Sequence, residues 1–169
     1  MYRLLSYLRF ILTATNQHGV HSPFIYNFIT KGIYRKGNPQ FTITQNLLAQ
    51  SIFYFNFKKI GLVSEDNSLK IKLNSVFEGL DYNALPIDIV YADDKSEPFK
   101  TISRKYLHND SLLLIEGIHN SKKKYQNWEQ LKKLPEVSVS IDLFHCGILF
   151  FRREQVKEHF KIRRKPLFL

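Results

Sequence analysis

Six side chains capable of acid–base chemistry stand just beyond short apolar runs. Glu65 and Asp66 follow residues 59–64, Asp93 and Asp94 come after 87–91, and Glu116 follows 111–115, with His119 three residues further on. Carboxylates at the carboxyl edge of a parallel sheet lie where ligands bind, and an imidazole beside them can act as a general base near neutral pH. An acid just past a strand can equally be a plain cap on the next helix.

Other chemistry-bearing residues are more simply read. His18 and His21 share a turn at i, i+3 with no acid or thiol nearby, which suits turn-fixing hydrogen bonds better than a metal. Cys146 opens a strand beside Gly147 and reads as buried rather than nucleophilic. Lys122, Lys123 and Lys124 with Tyr125 and Trp128, and Arg152 and Arg153 with Arg163, Arg164 and Lys165, are either phosphate-binding patches with interleaved aromatics or solvated faces.

The elements that must position these groups follow from periodicity. Leu4, Leu5, Leu8, Ile11 and Leu12 fall on one face of a first helix, with Arg3, Ser6 and Arg9 largely off it. The expectation is a helix packed on its own domain, and the alternative for that face is a membrane surface. Ser22 caps a second helix with Pro23 at its first position, running to about Tyr34. Thr44 is placed as the cap of a third, through Asn56, with Leu47, Leu48, Ser51, Ile52 and Phe55 at core spacing.

Strands are expected over 59–64, 87–91 and 111–115, separated by helices over about 67–80 and 98–107. The alternation Leu69-Lys70-Ile71-Lys72-Leu73 also permits a strand. A lysine-rich helix follows over 121–134. Two strands, 137–141 and 147–151, then lie too close together for a crossover helix and must be antiparallel. This order predicts an α/β fold in a single domain. It comprises a helical segment over 1–57, a mainly parallel sheet with a terminal antiparallel pair over 58–160, and a basic tail over 161–169.

A chain of 169 residues with 44% hydrophobic content has the size and composition of one globular domain. One cysteine makes no internal disulfide, which fits a reducing cytoplasm. No apolar run spans a bilayer. Arg9 interrupts the first apolar stretch and no small-residue cleavage site precedes Asn16, so no secretory signal is expected. The net charge of +10 divides into +7 over residues 1–64, −4 over 65–120 and +7 over 121–169. Basic ends of this kind attract polyanions weakly and in a salt-dependent way, unless they are only solvated surface.

Two end blocks, NQHGVHSPFIYNFIT (16–30) and PEVSVSIDLFHCGILFFRREQVKEHFKIR (135–163), resemble a class I S-adenosylmethionine-dependent methyltransferase-like family of Bacteroidetes. IDIVYADD (87–94) and HNDSLLLIEGIHNS (108–121) are similar to that family's fourth and fifth strands. The resemblance implies a Rossmann-like sheet and an S-adenosylmethionine site. Residues 60–66 match the family's first or second strand. The second is preferred, because Glu65 then accepts the ribose hydroxyls, with Asp66 and Asp94 also on the cofactor side. It further implies Asp93, Glu116 and His119 as the groups handling the substrate, a small molecule or a macromolecule. Metal-dependent relatives hold Mg²⁺ on acids after the fourth and fifth strands. Glu116 falls where they read Asp-Asp, Gly117 replaces the second acid, and no metal site is expected.

Between Phe41 and Leu80 no glycine-rich loop exists, since Gly61 and Gly79 stand alone, and at least one βα unit is lost. The sheet is therefore expected to be truncated. The function implied is that of a methyltransferase-family protein degenerate in cofactor binding, or of a non-catalytic basic module on the same fold.

Overall fold

Five short, largely apolar segments and one polar one pair into a single sheet. The computed structural model describes residues 1–64, 67–95 and 104–163. Its strands are β1 (Ile60–Val63), β2 (Ile87–Ala92), β3 (Leu107–Glu116), β4 (Val139–Asp142), β5 (Cys146–Phe150) and β6 (Glu158–Lys161), in the order β1-β2-β3-β5-β4-β6. β1, β2 and β3 run parallel, β5 is antiparallel to both β3 and β4, and β6 is parallel to β4. The protein is thus α/β, with a mostly parallel sheet and an antiparallel strand pair, as the sequence predicts.

Side chains alternate between two layers. Ile89, Tyr91, Leu112, Leu114, Ile148 and Phe150 join the core formed with the N-terminal helices. Val90, Leu113, Ile115 and Leu149 meet Trp128 and Leu131 on the other side. Trp128 presses so close to β5 that a Cβ on Gly147 would lie 2.4 Å from its ring. Only glycine lets that helix seat there.

The helices are α1 (Tyr2–Thr13), α2 (Pro23–Asn27), α3 (Ile43–Phe55), α4 (Asn67–Asn74) and α5 (Lys122–Lys133). Ser22 caps α2 and Pro23 begins it, as read from the sequence. A wider helical turn, Phe28–Ile33, continues α2 into the core. Thr42 rather than Thr44 caps α3. Its hydroxyl accepts from Gln45 N while the Gln45 side chain accepts from Thr42 N, a reciprocal capping box that leaves Thr44 free for another bond.

Three further expectations are corrected. α4 is a helix, which removes the strand alternative, but it stops at Asn74, where Val76 and Phe77 N–H both turn back to the Leu73 carbonyl. The helix expected over 98–107 lies mostly outside the described residues. Its described end, Arg104–Tyr106, is a tight turn, and Leu107 already opens β3. The start of the expected basic tail is also sheet. Lys161 belongs to β6, which covers β4's otherwise unpaired edge, and buried Ile162 bridges to Thr15.

The largest correction concerns α1. Its packed face is Ser6, Phe10 and Ala14, with Phe10 and Ala14 clustered on Phe144. Leu4, Leu5, Leu8 and Leu12 point outward at 65%, 51%, 51% and 84% exposure. One buried polar contact and one aromatic cluster orient the helix against its own leucine stripe.

Candidate functional site

The three parallel strands end side by side at Val63, Ala92 and Glu116, so their carboxyl ends share one edge. Glu65 and Asp66 lie outside the described residues. Asp93, Asp94, Glu116 and His119 are all described, and each is held by the chain's own groups.

Glu116 sits between two hydroxyls. Tyr91 donates to its Oε2 at 2.5 Å, and Thr44 of α3 donates to Oε1 at 3.3 Å. Burial, and then the Glu116 carboxylate, hold the Tyr91 hydroxyl far above the ordinary phenol range, so it stays a donor. Asp94 pairs with Lys124 of α5 and accepts from Asn120 Nδ2 at 2.9 Å. Asp93 Oδ1 accepts from Lys95 N at 3.0 Å, closing its own turn. These bonds tie strand ends to helices, to a neighbouring strand and to their own turns.

Gly117 explains the missing second acid. Its φ is +70°, and a Cβ there would lie 2.0 Å from Asp94 Oδ1 and 2.6 Å from Asn120 Nδ2. The turn that brings Asp94 and Asn120 together leaves no room for any side chain. Among the described residues no group of three or more His, Cys, Asp or Glu is placed to hold a metal ion.

His119 is 3% exposed and bridges two elements. Ser6 Oγ of α1 lies 2.6 Å from Nδ1, and Asp142 Oδ2 at the end of β4 lies 2.8 Å from Nε2. Asp142 is 2% exposed, and its Oδ1 accepts from Phe144 N at 2.9 Å. The imidazole stacks on Phe144 at 4.8 Å and meets Tyr125 at 4.7 Å. Ser6–His119–Asp142 has the residue types of an acyl-transfer triad, but the ring nitrogens are reversed, with Nδ1 toward the serine and Nε2 toward the carboxylate. Ser6 also lies within α1, which bonds its own N–H groups from Leu5 onward. The helix thus takes up the backbone N–H groups of Leu5 and the residues after it, which are not offered to an oxyanion beside Ser6. The chain of bonds is a latch between α1 and the sheet that occupies both ring nitrogens of His119.

A pocket of about 300 Å³ does open at this edge, lined by Arg3, Thr42, Thr44, Glu116, Asn120 and His145. Arg3 carries no signal in the sequence, and Thr42 carries only that of a helix cap. Asp142 does, since it ends an apolar run as Glu116 does.

The secondary candidates resolve simply. His18 and His21 are exposed, and His18 contacts its neighbour Gln17 in the turn at 3.2 Å. Cys146 is fully buried opposite Glu116. The aromatic-interleaved patch on α5 is divided: Lys122 and Lys123 are exposed, but Trp128 is in the core, Tyr125 faces His119 and Lys124 is bound to Asp94. Arg152 is paired with Glu154 at 2.6 Å and with Asp110 at 3.4 Å.

No family model, no curated protein and no solved structure matches this chain.

Proposed function

We propose that this chain is a methyltransferase-derived α/β protein that no longer works through S-adenosylmethionine and instead acts as a basic binding module. The closure of His119 between Ser6 and Asp142 carries this reading, because it commits to the fold the base that the sequence places at the strand edge. Glu116, between Tyr91 and Thr44, is committed in the same way.

The β1–α4 connection supports it as well. In a doubly wound sheet the strand beside the fourth is the first. β1 pairs with β2, so within the resemblance β1 takes the first strand's place rather than the second. The loop that follows, Ser64-Glu65-Asp66, is the one that would carry the glycines, and it has none. Gly61 lies inside β1 and Gly79 beyond α4. On this reading the residues do not fit the cofactor as the family holds it.

A second reading, a methyltransferase with an altered site, draws on the pocket, which sits at the expected edge and carries Arg3 and Glu116. Thermal unfolding in S-adenosylhomocysteine separates the two. A ligand at about a hundred times its dissociation constant adds roughly 2.7 kcal/mol of stability. We expect no shift in Tm at millimolar ligand. A rise of several degrees supports the enzyme.

A further inference from the structure

We propose that α1 docks the protein on an anionic lipid surface, its leucine stripe entering the headgroup boundary. This inference rests on the binding-module reading and names its partner. Met1, Leu4, Leu5, Leu8 and Leu12 recur at helical spacing and form one contiguous apolar strip on the face opposite Ser6 and Phe10. Every one of them is more than half exposed, from 51% for Leu5 and Leu8 to 102% for Met1. A patch of this kind on an otherwise ordered helix marks an interaction surface.

The latch gives the strip its direction. Ser6 is bonded to His119, and Phe10 packs against Phe144 at 5.5 Å between ring centroids. With that side tied to the sheet, the helix presents its leucines along its whole length. Twelve residues rise about 18 Å, too short to cross a hydrocarbon core of about 30 Å, so the helix lies in the interface rather than through it.

Charge selects the partner. Arg9 borders the strip, and Lys161 stands at the C-terminal end of α1, its Nζ 3.5 Å from Thr13 Oγ1. The first 64 residues hold seven Lys or Arg and no Asp or Glu. An apolar strip within a basic, acid-free segment is complementary to acyl chains beneath anionic headgroups. A second copy of the same basic helix would bring like charges together.

The experiment is co-sedimentation of the full chain with phosphatidylcholine vesicles, alone or with about 30% phosphatidylglycerol. The Leu8→Ser/Leu12→Ser variant runs in parallel, with its thermal unfolding measured; both positions are exposed, so the fold is expected to be unchanged. The wild type should sediment with anionic vesicles only, less in high salt, and the variant should bind at least about tenfold more weakly. Sedimentation unaffected by the substitutions, or none with anionic vesicles, overturns the proposal. So does a dimer in ultracentrifugation that the variant dissociates without any vesicle binding. Retention on heparin with no vesicle binding also defeats lipid docking while leaving the binding-module reading intact. A Tm rise in S-adenosylhomocysteine defeats the binding-module reading whatever the vesicles show.

Discussion

His119 has two polar partners and three ring partners, Phe10, Tyr125 and Phe144, so its removal should cost more than the loss of one contact. His119→Ala leaves Asp142 buried with an unpaired oxygen and Ser6 without its ring partner. We expect a loss of about 2–4 kcal/mol in urea unfolding, and about 1 kcal/mol for Ser6→Ala. If His119→Ala is neutral, the latch is not a structural unit. Gly117 makes a second prediction at this scale. Alanine there faces both a left-handed backbone and the Asp94 carboxylate, so Gly117→Ala should destabilise by about 1–3 kcal/mol. Asp94→Ala in the same chain should recover part of that loss, because it clears the steric obstacle but not the backbone strain. No recovery would place the whole effect in the backbone.

The strand starts are held by a different acid. Asp88 on β2 accepts from Lys58 N and Lys59 N at 2.8 and 2.9 Å, and from the His108 ring at 3.0 Å, tying β1 and β3 to the strand between them. Burial opposes its charge, but those N–H groups and His108 outweigh it and hold the carboxyl below its ordinary value of 3.8. A depressed carboxyl stabilises the fold above its unfolded pKa, and that contribution fades as pH falls through the folded value. Unfolding free energy should therefore decline below about pH 4 in the wild type, and Asp88→Asn should flatten the decline. An unchanged slope would falsify this assignment. Elements of this kind were legible wherever the signal was local: apolar runs ending on an acid, Ser22-Pro23, and the short gap between β4 and β5. Thr42 was legible too, since Gln45 stands three residues on, but Thr44 competed for the cap. β6 was not, because Glu158–Lys161 is polar and becomes a strand only when β4 offers an open edge. The latch was hidden for the same kind of reason. It joins residues 113 and 23 apart in sequence, a juxtaposition that β5 sets up by entering the sheet between β3 and β4.

For the molecule as a whole, the sheet edge and the surface pull in different directions. The edge keeps the acids that the methyltransferase resemblance singles out, yet Asp94 and Glu116 are spent on bonds to α5, α3 and β2. The surface carries the charge and the exposed leucines. No described helix is long and apolar enough to cross a membrane. The central claim is that the strand edge has lost the cofactor, and titration calorimetry with S-adenosylmethionine tests it most directly, on the wild type and on Glu65→Ala. Losing several backbone hydrogen bonds, each contributing roughly 0.5–1.5 kcal/mol, removes micromolar affinity. We predict no measurable heat of binding for either protein, and a stability difference between them of no more than about 1 kcal/mol, as for a helix cap. A micromolar dissociation constant in the wild type would contradict the account and make this edge a working cofactor site, whether or not Glu65→Ala abolishes it.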